Sequence, residues 1–143
     1  MIFNFVQAKE SDKEYLLELR KMTMLEHLER AGQFLSEKEH SERVNYKFEY
    51  SYLVFHSNQL IGAVKYHCKI NQVELTQIQI SPRHQGKGYG SGIVRQILNN
   101  EHPKTVQLAV LKGNPAVNFY KKLGFKVIGE DAYEYHMQNE PLI

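Results

Sequence analysis

The sequence predicts a single α/β domain over residues 1–143, a mixed central sheet with helices on both faces. Three observations lead there. Short segments with the two-residue alternation of strands are interleaved with apolar stripes at helical spacing. A glycine-rich turn, Gln85-Gly86-Lys87-Gly88-Tyr89-Gly90, joins the end of one such strand to the start of a helix. Hydrophobic residues make up 42% of the chain and charged residues 24%, a composition able to bury a core at this length.

The elements follow in order. Residues 2–6 alternate around Phe3 and Phe5 and read as a first strand; they lack the basic leader and small-residue cleavage site of a signal peptide. Ser11 or Asp12 caps a helix whose positions Tyr15, Leu19, Met22, Leu25 and Leu28 recur at spacings of three and four, and Gly32 ends it. A shorter, more polar helix starts at Ser36, with Glu39 in the capping-box position. Strands 51–55 and 60–68 flank the polar turn His56-Ser57-Asn58-Gln59, and a further strand, 73–80, stops at Ser81-Pro82. Beyond the glycine-rich turn, Ile93, Val94, Ile97 and Leu98 mark a helix ending near Asn99-Asn100 and Pro103. Val106, Leu108 and Val110 alternate as a strand. Asn114 as N-cap and Pro115 at the first helical position open a helix carrying Ala116, Phe119, Tyr120 and Leu123 and stopped by Gly124. Strands near 125–129 and 132–137 close the chain as a hairpin. The predicted order is β-α-α-β-β-β-α-β-α-β-β.

Composition narrows the function. The net charge of +2 gives no basic bias, so nucleic acid is not an expected partner. No apolar run is long enough to span a bilayer. Cys68 is the single cysteine, which rules out an internal disulfide and suits a reducing compartment; the expectation is a cytoplasmic protein. The seven histidines are scattered without metal-ligand spacing, so no metal is expected. Cys68 itself reads as a buried strand residue rather than a nucleophile.

The glycine-rich turn carries the most chemistry. Gly86, Gly88 and Gly90 can adopt backbone angles closed to other residues, letting successive amides face one concavity at a helix N-terminus. Arg83 and Lys87 add formal charge. Such a turn binds phosphate, or else only opens a helix. A P-loop would need Ser or Thr after Lys87, where Gly88 stands; the dinucleotide pattern fails because Ser91 occupies its third glycine position.

Gln85, Gly88 and Gly90 meet the Gln/Arg-x-x-Gly-x-Gly/Ala signature of the GNAT superfamily of N-acetyltransferases, which the chain resembles. Asn114, Tyr120 and the Leu123-Gly124-Phe125 ending meet that family's downstream motif, so the resemblance spans nearly the whole chain. It implies the GNAT fold, with a V-shaped splay between strands 73–80 and 106–110 that admits the pantetheine arm of acetyl-CoA. That arm would pair with the main chain of Ile78, Gln79 and Ile80, much as an added strand. Amides of Gly86, Lys87, Gly88, Tyr89, Gly90 and Ser91 would hold the pyrophosphate, and Asn114 the pantetheine. A main-chain bulge near residues 78–80 would stabilise the oxyanion. A homodimer is common in the family.

Acetyl transfer to an amine needs a base and an acid. An amine of pKa about 10.4 is only about one part in a thousand neutral at pH 7. Glu74, eleven residues ahead of Gln85, occupies the position that the histone-acetylating branch of the family uses as base, and burial would raise its pKa; its bland alternative is an exposed strand glutamate. Tyr120 is the implied acid for the departing thiolate, or otherwise a core aromatic. Gln77 and Gln79 share a strand face that could line the acceptor side. Arg20, His27 and Arg43 lie in the helical region that usually forms the acceptor pocket and read as surface or packing residues; Lys121-Lys122 reads as a solvated helix face that could otherwise meet the CoA 3′-phosphate. The expected activity is transfer of acetyl from acetyl-CoA to a primary amine, the alternative being a CoA-sensing or interaction module of the same fold.

Overall fold

A computed structural model describes residues 2–139. The chain runs through strand β1 (Asn4–Gln7), helices α1 (Lys13–Arg30) and α2 (Glu37–Asn45), and strands β2 (Ser51–His56), β3 (Gln59–Cys68) and β4 (Gln72–Ile80). Helix α3 (Tyr89–Glu101), strand β5 (Thr105–Leu111), helix α4 (Ala116–Lys122) and the hairpin strands β6 (Lys126–Glu130) and β7 (Glu134–Asn139) complete it. This is the predicted order. The seven strands form one sheet, β1-β2-β3-β4-β5-β7-β6, antiparallel except for β4–β5. That one parallel pair is bridged by α3, as a parallel crossover requires.

The helix termini explain where boundaries differ from the sequence reading. At α2 the capping box forms as expected: Ser36 Oγ accepts from Glu39 N–H at 3.1 Å and Glu39 Oε1 from Ser36 N–H at 3.0 Å. At α1 the Asp12 carboxylate instead accepts from Lys9 N–H at 2.8 Å, closing a short 3-10 turn ahead of the helix. Strand β7 begins later than predicted because Asp131 Oδ1 accepts from both Tyr133 and Glu134 N–H at 2.8 Å, an Asx turn that holds residues 131–133 out of the ladder.

Two apolar layers cover the sheet. On one face Ile93, Val94 and Ile97 of α3 pack with Val64, Val73, Leu75, Val106, Leu108 and Met137; each fully buried aliphatic side chain stabilises by about 1.5–3 kcal/mol. On the other face Leu16 and Leu19 of α1 and Val44 of α2 pack on Leu53 and Ala63. The buried stripe of α1 is Leu16, Leu19, Arg20 and Leu28, whereas Met22 is 55% exposed. The helix is thus rotated from the predicted stripe, and an arginine faces inward. Cys68 ends β3 exposed, not buried, and its thiol is pushed up to about 11 by desolvation and the neighbouring Glu101.

The feature that positions the site is where β4 and β5 part. Their register runs from Gln72↔Thr105 to Leu75↔Leu108 and stops. At the paired end the side-chain amide of Gln72 bonds Gln107, which donates to Gln138 Oε1 at 2.6 Å, tying three strands together. Past Leu75, β4 stays with β3 while β5 stays with β7 as far as Leu111↔Glu134. The sheet therefore opens into a V. The bulge sits at this divergence. Thr76 has no partner between Leu75↔Tyr66 and Gln77↔Lys65, and bulges increase local twist. It lies earlier than the predicted 78–80, where Ile78, Gln79 and Ile80 pair regularly with Val64, Ala63 and Gly62. Gly62 is required here: a Cβ would lie 2.1 Å from the Gln79 carbonyl oxygen.

Candidate active site

One arm of the site is the junction of β4 and α3. Gln85 folds back so that its Nε2 donates to Ile80 O at 2.9 Å, pinning the loop to the strand it leaves. Gly86 and Gly88 both have φ of +79°, the left-handed region that side chains disfavour. The first backbone bond into α3 is Gly92 N–H to Gly88 O at 3.0 Å. Among the described residues, no main-chain N–H from Gly86 to Ser91 donates to a backbone carbonyl. Those of Gly88 to Ser91 are the orphan donors of a helix N-terminus, at the positive end of its dipole, and those of Gly86 and Lys87 belong to the turn before it. Desolvation is the largest cause that lowers the pKa of His84, and Lys87 and then Arg83 stand close enough to lower it further. The donor set fits a pyrophosphate: unpartnered amides, a helix dipole, and two cations that form no ion pair among the described residues.

The other arm is the cleft left by the splay, about 830 Å³ in volume. Of the predicted residues, Glu74, Ile78, Gln79, Asn114 and Tyr120 line it; Ile80 and the turn Gln85 to Ser91 lie outside its lining, at the exposed end of β4. Asn114 Oδ1 accepts from Ala116 N–H at 2.9 Å, so the side chain starts α4 with its oxygen. Its Nδ2 has no protein partner among the described residues. Tyr120 is wedged edge-on between Phe119, at 5.1 Å, and Phe125, at 5.6 Å. That apolar setting pushes its phenol up to about 12, so the hydroxyl keeps its proton at neutral pH.

Glu74 departs from expectation. Its Oε1 accepts from Lys47 Nζ at 3.0 Å and its Oε2 from Lys69 Nζ at 3.1 Å. The Lys47 hydrogen bond is the main cause that holds this carboxyl below the usual carboxylate range; burial raises it less than the lysines lower it. The predicted rise in pKa is therefore overturned, because two cations stand where an apolar wall was expected.

Of the remaining wall, sequence reasoning put Gln79 on a face that could line the acceptor side and Arg20 and Arg43 in the acceptor region, but it read both arginines as surface or packing residues and missed Lys65. Arg20, Lys65 and Gln79 line the cleft and are only 4%, 5% and 5% exposed, and Arg43 joins them from the exposed side of α2. Arg20 Nε donates to His40 Nδ1 at 3.1 Å, which makes His40 a neutral acceptor. Its pKa is lowered by desolvation and then by Arg20. Lys65 Nζ donates to the carbonyls of Tyr46 (2.7 Å), Arg43 (3.2 Å) and Val44 (3.4 Å), the end of α2. The signal was present: Arg20 follows Leu19 and lies four residues after Leu16, and Lys65 continues the face of Ala63. Gln77 and Gln79 do share one face, toward Leu16, Arg20 and Val44.

Among the described residues, no three His, Cys, Asp or Glu side chains gather as a metal site, and no helix is long and apolar enough to cross a membrane. Comparison with curated proteins gives no match. The family described as Acetyltransferase (GNAT) domain matches residues 9–141. Solved structures agree in fold. The PaiA N-acetyltransferase from Thermoplasma acidophilum, in complex with coenzyme A, is 19% identical with a TM-score of 0.72, covering 98% of this chain and 99% of its own. An acetyltransferase from Thermus thermophilus is 14% identical with a TM-score of 0.77, covering 99% of this chain and 98% of its own. A chimera of the spermidine N-acetyltransferase SpeG from Vibrio cholerae and hSSAT is 23% identical with a TM-score of 0.66, covering 96% of this chain and 94% of its own.

Proposed function

This chain belongs to the GNAT acetyltransferases, and from that premise we propose that it transfers an acetyl group from acetyl-CoA to a primary amine by direct attack in a ternary complex. The observation that carries the proposal is the row of unpartnered N–H groups from Gly86 to Ser91 at the N-terminus of α3, beside a cleft opened between β4 and β5. The donor's pyrophosphate would lie on those amides. Its pantetheine would run into the V, along the side of β4 that β5 has left and past the free amide of Asn114.

Within the cleft the chain's own groups divide the work. The Tyr120 hydroxyl, protonated at neutral pH, donates to the thiolate as the carbon–sulfur bond breaks. The amine loses its proton toward Glu74, directly or through water. As a doubly ion-paired carboxylate Glu74 is a weak base, so its share of the rate is modest. The oxyanion is assigned to a main-chain N–H of β4 past the Thr76 bulge, where the strand has lost its β5 partner. The presence of Tyr120 in the cleft, rather than a side chain with no acid, favours an enzyme over a module that only senses CoA.

The test has two parts. Saturating acetyl-CoA should raise the melting temperature by mass action, and thiol release should appear with some member of a panel of amines, amino acids, polyamines and peptides. Absence of a thermal shift overturns the donor assignment. A shift without thiol release from any amine overturns the enzyme and leaves a binding module.

A further inference from the structure

The cationic wall of the cleft is explained from within only in part: Lys65 is held by the carbonyls that end α2 and has Glu49 near enough to favour its charge, whereas among the described residues the outer nitrogens of Arg20 have no ion-pair partner. Among the described residues, no carboxylate lies within ion-pair distance of Arg20, Arg43 or Lys65; the salt bridges of the chain involve other lysines and arginines. Burying a cation away from water is unfavourable unless something pairs it. Lys65 spends its donor protons on three α2 carbonyls, so toward the cleft it supplies field rather than hydrogen bonds. Arg20 commits only its Nε, to His40, which orients the guanidinium and leaves its terminal nitrogens without a carboxylate. Beside them, Gln79 Nε2 is a buried donor with no partner. A buried, unpartnered amide donor and two buried cations thus face one space.

We infer that this wall binds a carboxylate of the acceptor, so that the substrate class is an amine whose other end carries a carboxylate, held by Arg20 and Gln79 in the field of Lys65 and Arg43. The inference rests on the acetyltransferase reading given above. A planar guanidinium fork matches the two in-plane oxygens of a carboxylate. The same wall opposes a polyamine: a second ammonium would meet Arg20, Lys65 and Arg43, while Glu74 already holds two lysines. The other acidic groups of the cleft, Asp131 and Glu134, lie across it on the β6–β7 turn. Asp131 there is engaged by two backbone N–H groups and His136.

Matched pairs of amines that differ only in the carboxylate test this directly: lysine against cadaverine, 6-aminohexanoate against pentylamine, with spermidine and phosphoethanolamine alongside. Thiol release from acetyl-CoA reads kcat/KM, and a thermal shift in the presence of CoA reads binding without turnover. The expected result is a preference of about 10- to 100-fold for the carboxylate member of each pair, the range of a charge-assisted hydrogen-bonded contact. In Arg20→Met that preference should collapse to near one. Gln79→Leu, which keeps the volume and removes only the amide, should lower it about tenfold and covers the case in which the arginine variant fails to fold. Equal rates and shifts within each pair, or a preference for spermidine or phosphoethanolamine, overturn the inference. The failures are separable: if acetyl-CoA itself gives no shift, the acetyltransferase reading falls; if it binds and the paired amines behave alike, only the carboxylate assignment falls.

Discussion

The two arms of the proposed site would recognise ligands by different means. At the β4–α3 junction the groups on offer are main-chain amides, exposed and aligned by glycines at positive φ. At the wall opposite they are side chains, buried and fixed by one another: Arg20 on His40, Lys65 on the carbonyls that end α2. A backbone site depends on loop conformation and tolerates any side chain that leaves φ alone. A side-chain site depends on identity and burial. The donor end should therefore be broken by backbone changes, the acceptor end by single charge deletions, and the chemistry between them by neither.

The largest effect tests that middle ground. Tyr120→Phe should lower kcat by about 100-fold or more, the lower part of the range for a lost general acid, while the dissociation constant of acetyl-CoA, measured by calorimetry, changes little. Because burial pushes the phenol up to about 12, the wild-type rate should show no alkaline loss from Tyr120 through the neutral and mildly alkaline range. Wild-type turnover in the variant would remove Tyr120 from the mechanism and leave it as packing between Phe119 and Phe125.

Next comes the backbone end. Gly88 has φ of +79° and no neighbour within 4 Å of an added Cβ, so a side chain there meets conformational strain and not a clash. Gly88→Val should weaken acetyl-CoA binding roughly 10- to 100-fold, of the order expected for about 1–3 kcal/mol of backbone strain or for the loss of the aligned amides. Its own melting temperature, without ligand, separates loss of the site from loss of the fold. An unchanged dissociation constant in a folded variant would mean that the glycine turn is not where the donor is held.

The same contrast explains what could be read without coordinates. The backbone of the glycine turn was legible because glycine spacing is itself the structural cause: Gly86 and Gly88 had to be where a positive φ was needed, and Asn114 and Tyr120 kept their spacing across the start of one short helix, Asn114 just before it and Tyr120 within it. Element order was legible for the same reason, since periodicity and caps are local. Burial was not. Arg20 and Lys65 sit in apolar patterns that a lone charged residue often interrupts at the surface, and only the packing of α1 against α2 and β3 turns them inward. The bulge at Thr76 and the lysines on Glu74 depend on pairing between strands, or on Lys47 reaching from the loop after α2, 27 residues away in sequence. Non-local partners leave no spacing to read.

Glu74→Gln is a smaller perturbation than either of the first two. The amide keeps the volume of the side chain but removes the proton acceptor. A base this weak should yield only about a tenfold loss in kcat/KM, below the usual range for general bases, with a shallower rise of rate with pH. No loss at all would assign the proton to water alone.

The smallest effect is also the sharpest test of Glu74. Its pKa is lowered chiefly by the Lys47 hydrogen bond and secondarily by Lys69. Removing either lysine withdraws a cation that favours the ionised form, so the folded-state pKa must rise, further in Lys47→Met than in Lys69→Met. If Glu74 accepts the proton, the acid limb of kcat/KM follows it upward in that order, and the rate above the limb increases because the base is stronger. The stability consequence has the opposite sense. A depressed carboxylate stabilises the fold above its unfolded pKa and loses that contribution as pH falls through the folded value, so both variants should lose a little stability at neutral pH. The loss is small, since the paired side chains are about a third to nearly a half exposed and screened by solvent. A pH–rate profile that stays fixed in both variants, while carbon NMR shows the Glu74 carboxyl titrating higher, would leave this carboxylate holding the wall between Lys47 and Lys69 and taking no part in the chemistry.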